Sequence, residues 1–178
     1  MPHIRFNFLN LIFIILIALF LSGLQTTFWF QIFGSLPAPQ FWLNMILYLI
    51  LFRKPIEGIL TVYLVGLILN PFTAMPLGMI WATLLILFVC TSFVKKRLFW
   101  PGSRYFLMAS FGMCLAYHVV YFVLSRWLEI NPAPISFFHR FFEIVFTTLI
   151  SVPMYMGLAA IDHLTSKEIL PESGRAEQ

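Results

Sequence analysis

The chain has 178 residues, of which 61% are hydrophobic, and its charged groups are only eleven Lys and Arg and seven Asp and Glu. About a quarter of a soluble domain is charged, so this chain has too few charges to cover a globular surface. The composition excludes an ordinary cytosolic enzyme, a nucleic-acid-binding module and a disordered protein. Cys90 and Cys114 both lie in apolar runs, and neither a disulfide framework nor a cysteine-based metal motif is predicted.

Six apolar segments follow one another along the chain. They cover residues 7–30, 39–52, 56–70, 77–94, 105–125 and 141–161. A helix needs about 20 apolar residues to cross a bilayer core of about 30 Å, and the second and third segments are shorter than that. We predict that both still cross, because Arg53, Lys54 and Pro55 separate them, although a re-entrant course stays open for either one. The sequence predicts an all-α membrane protein with residues 1–161 forming one six-helix bundle.

The first segment is predicted to be a retained helix, because its apolar run is longer than the 7–15 residues in the core of a signal peptide. Residues 162–178 are polar and of mixed charge, and they are predicted to form a loose cytoplasmic tail.

The positive charges predict the topology. If all six segments cross, nine of the eleven Lys and Arg residues fall on one side, and only Arg126 and Arg140 fall on the other. The positive-inside rule assigns the larger group to the cytoplasm. Both termini are therefore predicted to be cytoplasmic, in the inner membrane of a bacterium.

The sequence offers little for catalysis. It contains no zinc-protease motif, no phosphate-binding loop and no dinucleotide fingerprint, so that neither an enzyme nor a cofactor is predicted. His118 is the only ionisable residue well inside a segment, and we expect it to bond to another helix, through Asn44 or Thr147, more readily than to relay protons. His139 and Glu143 share a helix face, which favours a capping or ion-pair role over a metal site.

Small residues mark faces where helices can pack closely. Ala109, Gly112 and Ala116 form one such stripe in the fifth segment. A second row in the third segment consists of Gly58, Val62, Gly66 and Asn70. Both rows are candidates for packing within the bundle or against the helix of a partner. Since Asn70 precedes Pro71, we expect it to leave the helical conformation and to end the third span.

A loose series of motifs runs through residues 25–87. The residues are Gln25 after the first span, Pro39 opening the second, Leu47, Tyr48 and Leu51 within it, Gly58 after the basic turn, Gly66, Leu67 and Asn70 in the third, and Leu77 and Gly78 opening the fourth. In this series, over about a third of the chain, the protein resembles the bacterial rod-shape-determining MreD family. The last two spans are similar only in hydropathy. Members of the family usually have Asp where this chain has Asn70, so an electrostatic role of that acid would be lost here or taken over by an amide.

The resemblance implies a non-enzymatic inner-membrane component of the machinery that elongates the bacterial cell wall and maintains rod shape. The implied partners, besides membrane lipid, are MreC, the wall-synthesis enzymes and, indirectly, the actin-like MreB filament. The family is also similar in fold to the substrate-binding membrane subunits of energy-coupling vitamin transporters. A subunit of that kind, binding a small molecule from the outer side, is the alternative function.

Overall fold

A computed structural model describes residues 2–98, 102–129, 132 and 136–165, with side chains from Leu9 onward. All regular structure in these residues is helical. Helix α1, Pro2–Gly23, continues through a π-helical turn, Leu24–Phe28, into α2, Trp29–Phe33. The other helices are α3, Phe41–Phe52; α4, Pro55–Leu69; α5, Leu77–Leu98; α6, Ser103–Leu128; and α7, Phe137–Leu164.

Five helical segments of the described residues are long and apolar enough to cross a membrane, and α3 is the shorter sixth apolar helix. The predicted all-α membrane class is confirmed at this level: the chain is a multi-pass helical membrane protein. The boundaries differ in part from those predicted. The first span extends past its predicted end at residue 30, because the helix continues to Phe33 and ends where Gly34 adopts a positive φ of 60°.

Helix α3 lies at the centre of the bundle, where it packs against α1, α4, α5, α6 and α7. Eleven of its 12 residues are buried. A helix that is apolar on every side suits such a buried position, and in a membrane it also suits contact with lipid. Its 12 residues reach about 18 Å, and the non-helical residues 37–40 lead into it.

The sharp turn between α3 and α4 follows from Pro55. A proline disfavours helical dihedrals in the residue before it, and Lys54 is extended with φ −63° and ψ 145°. Pro55 itself takes the first position of α4, where its missing N–H is not needed. Only Arg53 and Lys54 therefore separate two helices that pack side by side.

Asn70 does not leave the helical conformation, and that prediction is wrong. Its φ of −51° and ψ of −46° are α-helical, and the chain continues through a 3₁₀ turn, Asn70–Phe72. The Asn70 N–H bonds to the carbonyl of Leu67. This bond satisfies the Leu67 carbonyl. Pro71, four residues after Leu67, cannot donate to it because proline has no N–H.

The contacts show that neighbouring helices run in alternating directions. Asn10 of α1, Arg53 after α3 and Asp162 of α7 meet at one end of the bundle, the Arg53 end. Gln25, Gln40 and Glu143 meet at the opposite end, the Glu143 end. Helix α6 runs against α7, because Phe106 stacks near Tyr155 while His118, further along α6, lies near Glu143, earlier in α7.

The last helix is longer than predicted. It extends to Leu164, three residues past the predicted end of the sixth span at Ile161. Asp162 and Thr165, which were assigned to a loose tail, are buried among other helices. The reason is a set of hydrogen bonds to α1 and α3, described below. The rest of the predicted tail, residues 166–178, lies outside the described residues.

Candidate functional site

The Arg53 end contains a cluster of buried polar side chains, the Arg53 cluster, formed by Asn10, Tyr48, Arg53, Asp162 and Thr165. Arg53 forms an ion pair with Asp162 and donates a hydrogen bond of 2.9 Å to Asn10 Oδ1. Tyr48 donates its hydroxyl proton to the other oxygen of Asp162, at 2.7 Å. Asn10 donates to Asp162 Oδ1 and to Thr165 Oγ1. The cluster thus joins α1, α3 and α7 through one carboxylate.

Burial makes this cluster energetically sensitive. The side chains of Arg53 and Asp162 are each only 2% exposed. A charge removed from water must be paired and hydrogen-bonded, and removing one partner of such a pair is far more costly than the pair is stabilising. Lys95 caps the C-terminal end of α3. Its Nζ donates to the carbonyls of Ile50, at 3.0 Å, and Arg53, at 3.4 Å.

The Glu143 end has a second carboxylate with a different environment. Glu143 accepts a hydrogen bond from the side-chain nitrogen Nε2 of Gln40. It also accepts one from Arg140 Nη1, at 3.0 Å. His118 Nε2 lies 3.8 Å from the same carboxylate. Arg140 is about a third exposed, at 33%, and its guanidinium lies over the ring of Tyr121. This charge pair is therefore open on one side of the protein.

Further hydrogen bonds tie α3, α6 and α7 together just below Glu143. Thr147 Oγ1 accepts from the backbone N–H of Gln40, at 2.9 Å. Asn44 donates to the Thr147 carbonyl at 2.8 Å and accepts from the Ser110 hydroxyl at 2.5 Å. Asn44, Ser110 and Thr147 are buried, and their hydrogen bonds fix the three helices relative to one another.

A cavity of about 140 Å³ lies beside this network. It opens between the helix that contains the π-helical turn, the start of α3, the turn after α4, and parts of α5 and α6. Its lining residues are Ser22, Gln25, Thr26, Gln40, Trp42, Leu69, Phe72, Thr73, Met75, Ile80, Thr83, Leu84 and Tyr117. The cavity lies where the irregular residues 37–40 lead into the short helix α3. It is the concave feature with converging polar groups that a binding site requires.

The predicted roles of the two histidines are revised by these contacts. Asn44 and Thr147 bond to each other, and the residue that faces His118 is Glu143, together with Cys114 Sγ at 3.9 Å. His139 does not pair with Glu143. Its Nδ1 lies 3.0 Å from Ser136 Oγ, at the start of α7. Within the described residues, no three His, Cys, Asp or Glu side chains are close enough to hold a metal ion.

The small residues of α4 lie inside the bundle. A Cβ at Gly66 would come within 2.6 Å of Leu84 Cδ1 on α5. At Gly58 it would lie 3.4 Å from the carbonyl oxygen of Leu49 and 3.6 Å from the ring of Phe88. Close packing at these two positions therefore involves the protein's own helices α3 and α5.

The other predicted packing residues are at or near the surface. Gly112, Pro71 and Gly78 are exposed, and no atom lies within 4 Å of a Cβ built at either glycine. Ala109 and Ala116 are half-buried at the edge of the core. Asn70 is half-buried, and its carbonyl accepts the N–H of Thr73 at 3.4 Å.

Sequence reasoning missed the pairing of Arg53 with Asp162 and the central role of Gln40. Arg53 was assigned to a loop and Asp162 to a tail, and 109 residues separate them. One signal was present: both are charges that border apolar helices, where unpaired charges are costly. No comparable signal marks Gln40, whose importance depends on contacts with α1 and α7.

Comparison of the chain with family models, with curated proteins and with solved structures finds no match. The function is therefore inferred from the residues and their geometry.

Proposed function

We propose that the protein is a non-enzymatic inner-membrane component of the bacterial cell-elongation machinery, similar to the MreD proteins. In this role it holds MreC and the wall-synthesis enzymes together in the membrane and is linked through them to the MreB filament. The proposal rests on the motif series in residues 25–87, since several of its members make the contacts that define the bundle.

The positions of three motif residues carry this proposal. Tyr48 bonds to the buried carboxylate of Asp162. Gly66 allows α4 to approach Leu84 of α5. Gln25 bonds to Gln40 at 3.1 Å across the Glu143 end. A motif that maintains helix contacts on three different helices fits a protein whose task is to hold a shape and present surfaces, because such a task needs a defined bundle and no reactive centre.

The proposed topology has six crossings with both termini in the cytoplasm. It is supported by the alternating directions of the helices, which place the start of α1 and the end of α7 at the Arg53 end. Lys54 and Lys95 lie at this end too. Reporter fusions at Gln178 and within residues 71–76 test the arrangement. A periplasmic signal at Gln178 contradicts it.

Isolation of the protein from bacterial membranes in a mild detergent, followed by identification of bound proteins, tests the elongation role. MreC and wall-synthesis enzymes are expected to be recovered with it. The purified protein should show no hydrolytic activity, and His118→Ala should leave the cells rod-shaped. Loss of shape in the His118→Ala strain at normal protein levels would show that the scaffold role is incomplete.

The second candidate function is that of a small-molecule-binding subunit of an energy-coupling transporter. The observation that favours it is the cavity at the Glu143 end, which is the outer end in the proposed topology. Recovery of an ATPase pair instead of wall-synthesis proteins in the same isolation experiment supports this function over the first.

A further inference from the structure

The two ends of the bundle differ in net charge. Among the described side chains, six Lys and Arg and two carboxylates lie at the Arg53 end, which leaves a net charge of +4 there. The six cations are Arg53, Lys54, Lys95, Lys96, Arg97 and Arg104. At the Glu143 end, two arginines and two carboxylates cancel each other among the described side chains. An excess of positive charge at one end attracts anions to that end.

Three of the cations flank the connection between α5 and α6. Lys96 and Arg97 lie in the last turn of α5, and Arg104 lies in the first turn of α6. All three are exposed, and none of them pairs with a carboxylate in the described part of the chain. Because α5 and α6 pack against each other and the connection is short, these residues form one patch, the α5–α6 cation patch.

Helix dipoles explain only part of this patch. A cation is favourable near the C-terminus of a helix, so Lys96 and Arg97 suit the end of α5. Arg104 lies in the first turn of α6, where a cation is unfavourable. That turn contains no acidic residue to offset the charge. An anion from outside the described residues would therefore be favourable beside Arg104.

Exposed apolar side chains lie next to the patch on both helices. On α5, the guanidinium of Arg97 lies over the ring of Phe93, 5.0 Å from its centroid. On α6, Met108 follows Arg104 by four residues, so that both lie on one face of the helix, and both are exposed. Each helix thus presents a cation near its end and an apolar side chain one turn further into the bundle. A phospholipid has the matching chemistry, because its charged phosphate is joined to apolar acyl chains.

We propose that the α5–α6 cation patch binds an anionic phospholipid, with the phosphate beside Arg97 and Arg104 and the acyl chains along Phe93 and Met108. In the proposed topology this site lies in the cytoplasmic leaflet. It goes beyond the elongation role and requires none of the partners named there. A lysine or arginine near an anionic membrane surface strengthens binding by about fivefold, so that the patch should distinguish an anionic lipid from a neutral one.

Phosphatidylglycerol and phosphatidylcholine with identical acyl chains are suitable probes, because only phosphatidylglycerol has a net negative charge. Native mass spectrometry of the full chain, released from detergent micelles, measures the dissociation constant of each lipid. Phosphatidylglycerol should bind about fivefold tighter or more. The preference should shrink as the concentration of ammonium acetate rises, since salt screens exposed charges. Glycerophosphoglycerol, the same headgroup without acyl chains, should not displace the lipid. Displacement would overturn the proposal and indicate a site for a soluble phosphate.

Arg104→Gln and Arg126→Gln form a matched pair, because each removes one exposed arginine from an end of α6. Arg104→Gln should weaken the binding of phosphatidylglycerol about fivefold, whereas Arg126→Gln should leave it unchanged. Arg104→Lys keeps the charge and should retain most of the preference.

The triple variant Lys96→Gln, Arg97→Gln, Arg104→Gln should bind the two lipids equally. If it fails to fold, the matched pair still tests the patch. Equal affinity of the unchanged protein for both lipids would overturn the proposal and leave the cations to topology or to an acidic partner protein. Equal losses in Arg104→Gln and Arg126→Gln would overturn it too, because the preference would then follow the net charge of the protein.

Discussion

The two ends of the bundle both bury a carboxylate, but they differ in how far its partners are exposed. Each places a buried carboxylate of α7 beside an arginine and a side-chain amide, but Arg53 follows α3 whereas Arg140 lies on α7 itself. At the Arg53 end both charged side chains are 2% exposed. At the Glu143 end the arginine is 33% exposed, and a cavity of about 140 Å³ adjoins the network.

This difference separates a closed end from an open one. Where both charges are shielded from water, their attraction is strong and loss of one leaves the other without compensation. Where the cation faces water, hydration can replace a lost partner. The Arg53 end is therefore suited to holding α1, α3 and α7 together, whereas the Glu143 end has room for a ligand or for rearrangement.

The largest expected effect comes from breaking the closed end. Asp162→Asn keeps the shape of the side chain but leaves the charge of Arg53 unpaired, and it should lower the free energy of unfolding by about 3–5 kcal/mol. Equilibrium unfolding in mixed micelles of a mild detergent and SDS measures the change. In the double variant Arg53→Met, Asp162→Leu no charge stays buried, so it should be less destabilised than Asp162→Leu alone.

Lys54→Met is the matched control for this prediction, because Lys54 is the exposed cation next to Arg53. It should change stability by no more than about 0.5 kcal/mol. If Asp162→Asn is as mild as this control, water reaches the pair and the Arg53 end is not closed.

Gly66→Leu tests whether the cavity can absorb extra volume. The new side chain would displace Leu84, which lies 2.6 Å from the position of a Cβ at Gly66 and also lines the cavity. Overpacking should cost about 1–3 kcal/mol in the same unfolding measurement. A loss near the lower end of this range would show that Leu84 moves into the cavity.

Gly112→Leu provides the comparison, because no atom lies within 4 Å of a Cβ at this exposed position. It should not destabilise the fold, since leucine is a better helix former than glycine. Equal stability of the two leucine variants would mean that α4 and α5 do not pack closely.

Glu143→Gln is the counterpart of Asp162→Asn at the open end. We expect a smaller loss, about 1–2 kcal/mol, because Arg140 can turn to water and a glutamine still offers an acceptor to Gln40. A loss in unfolding free energy equal to that of Asp162→Asn would show that both ends are equally closed.

The sequence predicted the positions of the helices well, but it did not predict the polar contacts at the two ends of the bundle. The apolar runs and Pro55 located the helices within a few residues, because burial and proline geometry act locally. The site could not be located in this way. The pairing of Arg53 with Asp162, and the contact of Gln25 with Gln40, depend on how the chain folds back on itself. The cavity likewise is lined by residues from several parts of the chain.

The prediction for Asn70 failed for a different reason. The bias of a residue before proline is a steric preference of the isolated chain. Here the bond from the Asn70 N–H to Leu67 and the 3₁₀ turn that follows outweigh it. The prediction of a loose tail was wrong at Asp162, because the polar character of the segment was taken as a sign of exposure. Asp162 is instead hydrogen-bonded to Asn10 on α1, Tyr48 on α3 and Arg53 just after α3.

The smallest expected effect concerns Asn70, at the edge of the open end. Asn70→Asp introduces the acid that the MreD family usually has there. The residue is half-buried at the end of α4, so that water can hydrate the new charge. An anion near a helix C-terminus is unfavourable by about 0.3–1 kcal/mol, and the loss of stability should stay within this range. Unfolding of the variant is compared with that of Asn70→Leu, which removes the polar amide without adding a charge, and the comparison tests whether the charge is the cause. If the aspartate variant loses several times more stability than this, water does not reach Asn70. The part of the Glu143 end that is open would then be the cavity alone.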